Sequence, residues 1–464
     1  MNYSLKKLCS FIMLSAMLAF GISQSLWAVV VDDEIQIQGR YLEWVFAPNE
    51  GGVLSALHIL GDEENLAGEE GLLQEGFGVG SYYLPNRRLN ERLEIVDPDS
   101  KRPMLRYRYT CDGPNIKGLQ VTRTMEPLPD EMSMRITWTI ENKGEETQWI
   151  SPWVRNEARA STANMMRLPT LEGMIDVTRE EYLPASRNWA VVTETQKKES
   201  VCAIFHADHT HSFLTLCDDS NKPRGTQTAY VPRLLKPGEA WTTLYRLNVV
   251  RGLEHVDFAD DAIAAQIDYA EKVFSVVLTA TKPMENVHIE GRIVAENKRV
   301  WKLPRKRFNV SPTHLVRCTW DWQPPGDGVY EFMAQLYYGD KVIPLGEDTA
   351  SPHGGIDTFF SVGTPQPRLM ESWTDAPYLL ERGQRVTRGL VAIAGETTIW
   401  FAPALEKVFH EDNILPEGTP DPTAHIALAG NEYESFQICL RPSQNKPLHN
   451  VRVIVEDLVN QKNG

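Results

Sequence analysis

An all-β chain built from several β-sandwiches is what this sequence predicts, and three observations predict it. Apolar residues recur at every second position through most of the 464 residues. No long stretch holds a helical spacing; Asp260 to Ala270 alone is compatible with one short helix, and equally with a strand. Turn-forming residues, 31 Gly and 29 Pro, interrupt the alternation at short intervals, the pattern of packed sheets rather than of βαβ units.

Residues 1–28 stand apart from the folded chain. Lys6 and Lys7 form a basic start, Leu8 to Ile22 is an apolar run broken by Ser10, Ser15 and Gly21, and Leu26-Trp27-Ala28 offers a small-residue cleavage site. This is read as a signal peptide, too short and too interrupted to span a bilayer. Cys9 precedes the apolar run, so no lipid anchor is read. No later stretch is apolar over the ~18 residues a spanning helix needs, so the mature chain is not expected to be integral to a membrane. Losing Lys6 and Lys7 moves the formal charge from −15 to −17. An acidic exported protein, periplasmic or extracellular, is not expected to bind nucleic acid. The basic run Lys298 to Arg307 lies between strand patterns and is read as a solvated hairpin, with a polyanion site as the less favoured alternative.

Residues 29–251 form the first segment. Leu105, Tyr107, Tyr109 and Cys111 alternate with Arg106, Arg108 and Thr110. Met132, Met134, Ile136, Trp138 and Ile140 alternate with polar residues and run into Asn142-Lys-Gly-Glu145, a half-buried strand entering a hairpin. Residues 254–363 have the length and strand count of an immunoglobulin-like sandwich. There Phe274, Val276 and Leu278, then Val287, Ile289 and Ile293, then Tyr330, Phe332, Ala334 and Leu336 mark inward faces. Residues 364–396, rich in Pro, Gly and charge, read as a linker, and 397–464 as a partial third sandwich. Too few strands are present in that last piece to close a sandwich.

The first segment resembles the galactose mutarotase-like supersandwich at Tyr41 to Leu57, Glu64 to Leu66, Trp138 to Gly144 and Pro232 to Trp241. The resemblance implies sugar binding on a concave sheet face. Its catalytic residues do not carry over. Where the family has an N-H-x-Y-F-N element this chain reads Ser151-Pro-Trp-Val-Arg-Asn-Glu157, and where it has E-T-Q this chain reads Gly225-Thr-Gln227. Mutarotase activity is therefore not expected, since ring opening needs both a base and an acid. The last segment resembles the N-terminal sandwich of glycoside hydrolase family 123-like proteins. Asn431-Glu-Tyr-Glu-Ser-Phe-Gln437 carries the likeness, supported by Trp400 to Pro403, Lys407-Val408 and Asn450 to Leu458. That resemblance implies a following barrel with an adjacent Asp-Glu pair, and so an expectation that these residues open a longer, or truncated, gene product.

Two patches are candidate glycan contacts. In the first, Trp153 would stack on a sugar ring while Arg155, Asn156 and Glu157 bond its hydroxyls. The alternative is a strand end with Trp153 in the core and Arg155–Glu157 as a surface pair. In the second, Tyr82, Tyr83, Arg87 and Arg88 would line a groove, or else form a solvated loop. His206-Ala-Asp-His-Thr-His211 offers enough metal ligands but reads as a hairpin turn, and Trp320 with Trp322 as a core stripe. Five cysteines remain after processing; Cys202 and Cys217 flank a hairpin pattern that a disulfide would close, but buried free thiols are the favoured reading. No metal, no cofactor and no catalytic pair is assigned. Three functions stay open: the exported, non-catalytic N-terminal region of a family 123-like carbohydrate-active protein that binds or presents a glycan or polysaccharide; a self-contained carbohydrate-binding or structural protein; or a sugar-active enzyme, lyase or epimerase, with a divergent site on the first sandwich.

Overall fold

The computed structural model describes residues 27–31, 34–48, 51–78, 82–83, 94–96, 103–111, 116–170, 173–350, 354–363, 389–394, 397–403, 436–442 and 451. Among them every regular element is a strand, Ile263–Ala270 included. No helix among the described residues is long and apolar enough to cross a membrane. The chain divides into two compact units, residues 1–373 and 374–464.

The first unit contains the first two predicted sandwiches. Its largest sheet has nine strands in the order Gly173–Asp176, Asn164–Thr170, Trp189–Glu194, Glu199–Ile204, Ala240–Arg251, Ser133–Asn142, Leu119–Leu128, Met104–Thr110 and Glu94–Val96. Facing it is a six-stranded sheet in the order Tyr182–Pro184, Thr210–Cys217, Pro223–Tyr230, Pro152–Glu157, Gln74–Gly78 and Tyr82–Tyr83. A four-stranded sheet from Trp27–Val31 to Val53–Ile59 shares the same core. The predicted alternation is realised: Leu105, Tyr107, Tyr109, Met134, Ile136, Trp138 and Ile140 are wholly buried. Burying a large side chain of this kind stabilises by roughly 1.5–3 kcal/mol.

Two turns differ from expectation. After Asn142 the chain does not fold back on its own strand; Gln148–Ile150 pairs with Arg233–Leu235, and Pro152–Glu157 then joins the six-stranded sheet. The Asn142 side chain fixes this exit by donating to Glu146 O and Leu235 O, both at 2.8 Å. Likewise, Glu199–Ile204 belongs to the nine-stranded sheet and Thr210–Cys217 to the six-stranded one, so residues 205–209 cross between layers rather than close a hairpin. Alternation identifies strands but does not say which sheet the next strand joins. Cys202 is buried and Cys217 partly so, and both are free thiols.

The second sandwich pairs a sheet ordered Phe258–Ala259, Ile263–Ala270, Val273–Ala280, Val316–Asp321 with one built on Met284–Ala295 and Gly328–Tyr338. Trp320 and Trp322 lie in its core, as their shared face predicts. The two sandwiches are fused. Trp189, Val191, Cys202 and Ile204 of the first form one apolar cluster with Leu253, Val256, Ala259, Ala264 and Val277. Arg187 reaches Asp357 at 2.5 Å with both side chains buried, and Arg246 pairs with Asp348 and, at 3.7 Å, with Asp261.

In the second unit, Gly389–Ala394, Thr397–Pro403 and Phe436–Arg441 form a three-stranded antiparallel sheet. Residues 389–394, assigned to the linker on composition, are therefore a strand that hairpins onto Thr397–Pro403. Trp400 and Ala402 are buried, while Ile438 and Leu440 stay more than a third exposed. Asn431 to Ser435, Lys407-Val408 and most of Asn450 to Leu458 lie outside the described residues.

Candidate functional site

The strand Pro152–Glu157 is central to the six-stranded sheet, between Pro223–Tyr230 and Gln74–Gly78. Strand alternation divides its residues between two faces. Val154 points into the core, where it is fully buried. Asn156 shares that side, 6% exposed, and its Oδ1 accepts from the Leu73 backbone N–H at 2.9 Å. Asn156 therefore does not join the other three candidates. It holds the turn at Leu73, a non-glycine residue at φ 64°, in the sparsely populated left-handed region.

Trp153, Arg155 and Glu157 occupy the opposite face. The indole lies over Gly76, where a Cβ would sit 2.1 Å from Trp153 Cζ2; only glycine leaves room for the ring. Arg155 lies 5.8 Å from that ring, donates from Nη2 to Gln227 Oε1 at 3.1 Å, and approaches Glu157 at 3.7 Å. Glu157 is also 3.9 Å from Arg224 Nη1. Register places Gln74, Arg155 and Gln227 in one row across three strands. Trp153 is 4% exposed, which fits the core reading of this residue better than an open stacking platform, and the Arg155 side chain is 20% exposed. A ligand on this face would therefore meet the guanidinium first.

The structure brings the second patch to the same sheet. Tyr82–Tyr83 pairs with Gln74–Gly78, one strand removed from Trp153, with Gly78 opposite Tyr82 and Phe77 opposite Tyr83. Arg87 and Arg88 lie outside the described residues.

Gly225 stands directly across from Glu157. A Cβ at Gly225 would meet the Asn156 carbonyl oxygen at 2.1 Å, so no larger residue fits there.

Beneath the site is a buried polar cluster that sequence reasoning missed. Arg123, on the nine-stranded sheet, donates to Leu73 O at 2.5 Å, Gly51 O at 2.8 Å and Gly52 O at 2.7 Å, and pairs with Glu75 at 3.4 Å; both side chains are wholly buried. Tyr107 lies under its guanidinium and the Tyr245 hydroxyl reaches Glu75 at 3.4 Å. Burial pushes the Glu75 carboxyl up to about 7 against the opposing pull of Arg123. Arg123 thus pins the segment leading into Gln74–Gly78, and with Asn156 sets where Gln74 and Gly76 stand. A signal was available: Arg123 occupies the inward register of Leu119, Val121 and Met125.

At the layer crossing, His206 and His209 stack at 4.2 Å, and His209 Nδ1 lies 2.9 Å from Thr243 Oγ1. Burial, with His206 and Arg233 alongside, pushes the His209 imidazole down to about 3. Asp208 and His211 point to solvent. Among the described residues no group of three or more His, Cys, Asp or Glu is arranged to hold a metal.

No protein-family profile matches the chain, and no curated protein does. Solved structures similar to it include a galactose mutarotase-like protein from Clostridium acetobutylicum, 10% identical over 50% of this chain and 100% of that one, with a TM-score of 0.37. A protein from Synechocystis sp. PCC 6803 is 12% identical over 50% of this chain and 100% of that one, TM-score 0.36. A polysaccharide lyase is 11% identical over 75% of this chain and 48% of its own length, TM-score 0.28. Scores of this size carry no argument about function.

Proposed function

We propose that the outer face of the six-stranded sheet binds a glycan, and that the chain is an exported, non-catalytic region of a glycoside hydrolase family 123-like, carbohydrate-active protein. The observation that carries the binding reading is the Arg155 guanidinium, 20% exposed and held in place by Gln227 Oε1, Trp153 and Glu157 on one sheet face. A fixed guanidinium presents its N–H groups as donors to sugar hydroxyls. The indole against Arg155 fixes the guanidinium plane rather than leaving it to solvent, a contact worth about 0.5–1 kcal/mol at such sites. The leader-like residues 1–28 support export, and the Asn431 to Gln437 stretch supports the family 123-like association. The test is glycan-array screening of the full chain, followed by calorimetry on the best ligand. Arg155→Ala is expected to lower affinity at least tenfold with the circular dichroism spectrum unchanged. Wild-type affinity in that variant, or no glycan bound at all, removes the reading.

A second reading has one observation in its favour: Glu157 lies across from the position where the mutarotase pattern has its glutamate. On this reading Glu157 is the base of a divergent sugar-active enzyme. Polarimetry of aldose mutarotation decides it. A rate above buffer that Glu157→Gln abolishes supports the enzyme, and a rate equal to buffer eliminates it.

A further inference from the structure

The basic run of the second sandwich borders a cleft. Lys298 to Arg307 holds six cations and no acid, in a chain whose net charge is −15. Its second half enters the edge strand Lys306–Val310, which pairs with Met284–Ala295 so that Arg307 lies opposite His288. A bulge between Met284 and Val287 opens the ladder there, with Asn286 in the left-handed region at φ 56° and its N–H bonded to Asn309 Oδ1 at 2.8 Å. Beside the bulge is a cleft of about 430 Å³ whose lining includes Asn286, His288, Arg305, Arg307, Asn309 and Asp340.

The charges in this cleft are not equivalent. Arg305 is engaged by Glu290. Arg307 is exposed and makes no ion pair among the described residues. His288 is 3% exposed, stacks on Tyr337 at 5.0 Å, and keeps a buried Nε2 with no hydrogen-bond partner; its nearest acid, Glu290, is 3.7 Å away. A buried, unpartnered ring nitrogen is costly and calls for a ligand atom.

We propose that this cleft binds the anionic substituent of an acidic saccharide, a uronate carboxylate or a sulfate ester, between the Arg307 guanidinium and the His288 imidazole. Arg307 supplies a forked pair of donors to a planar or tetrahedral oxyanion. His288, with its proton on Nε2, supplies a third, and the Asn286 amide reaches a neighbouring hydroxyl. The cleft has the size of a small-ligand site. One unengaged guanidinium beside Asp340 suits a single anionic group, whereas a nucleic-acid strand needs several phosphates neutralised together. The inference rests on the glycan reading above only for the saccharide that carries the anion, and it uses a different surface.

The test is calorimetry on the full chain with four probes: an oligogalacturonate, a chondroitin sulfate oligosaccharide, a neutral galactan and single-stranded DNA. At least one acidic saccharide is expected to bind, with affinity falling as salt rises. Arg307→Gln is expected to lower that affinity at least tenfold, and His288→Phe more than His288→Gln, which keeps a donor. The uronate and sulfate probes separate the two sources of anion. Arg307 is exposed on an edge strand, so loss of fold does not confuse the result. Arg155→Ala is expected to leave acidic-saccharide binding unchanged; if the wild-type chain binds the acidic probes but no neutral glycan, or if Arg155→Ala binds neutral glycans like wild type, the proposed function is removed and this site stands. Neither acidic probe binding, wild-type affinity in Arg307→Gln, or DNA bound as tightly as the saccharides would overturn the proposal.

Discussion

Replacing Glu75 by glutamine isolates the energetics of the buried pair under the candidate site. Glu75 is wholly buried and shares its surroundings with Arg123 and Tyr245. Desolvation exceeds the attraction of Arg123, and its folded-state value stands at about 7 against an ordinary 4.5. The sign follows from proton linkage. Between those values the folded chain holds a proton that the unfolded chain has released, so stability falls as pH rises through the window and levels off above it. At about 1.4 kcal/mol per pH unit, the interval corresponds to roughly 3 kcal/mol. Urea unfolding of wild type and Glu75→Gln, from about pH 4.5 to pH 8.5, reads this directly. The unfolding free energy of wild type minus that of the variant is expected to fall by roughly 3 kcal/mol up to pH 7 and then stay flat. Other titrating groups cancel in that difference. A difference that stays constant across the window would mean that Arg123 keeps the carboxylate ionised throughout, and the reasoning about desolvation would be wrong.

Four further outcomes follow from the same geometry. Arg123→Met strands Glu75 and releases the Gly51, Gly52 and Leu73 carbonyls, and is expected to cost about 3–5 kcal/mol in the same assay. Arg187→Ala leaves Asp357 buried without its cation, a loss also of about 3–5 kcal/mol, read as a lowered denaturant midpoint. Gly76→Ala drives a Cβ into the Trp153 indole and is expected to cost about 1–3 kcal/mol and to displace the ring, visible as a changed tryptophan emission maximum. His209, held down to about 3 by burial, contributes stability that is present above pH 6.5 and lost on acidification, so its imidazole carbon-proton NMR shift is expected to stay flat between about pH 8 and pH 4.

The strands were legible because each announces itself locally. Ser133–Asn142 buries the residues its alternation selects, and Val316–Asp321 carries Trp320 inward with Cys318. The same locality hid the connections. Nothing between Asn142 and Pro152, or between Ile204 and Thr210, records that the chain changes sheets there. Composition also misassigned residues 389–394, since Gly and charge nearby outweighed the short run Leu390-Val-Ala-Ile393. Of the first candidate patch, Trp153, Arg155 and Glu157 were legible, but the sequence reading grouped Asn156 with them although strand alternation puts it on the opposite face, where it accepts from Leu73 N–H. Gly76, Gln74, Gln227 and Arg224 were not legible, as they arrive from two other strands through long-range pairing. The Arg123 anomaly was visible in its register, but its acceptors are backbone carbonyls some fifty and seventy residues away, which no side-chain pattern reports.

The seam between the two sandwiches has a consequence for how such a gene can be rearranged. A breakpoint near Gly252 would leave Trp189, Val191, Cys202, Ile204 and Val250 without their covering residues and would separate Arg187 from Asp357 and Arg246 from Asp348. Either half would then meet a new neighbour with an oily patch and orphaned charges, a liability for solubility. A breakpoint after Gly363 cuts none of these contacts. The first two sandwiches are therefore expected to travel between proteins as one cassette, with exchange concentrated at its far border.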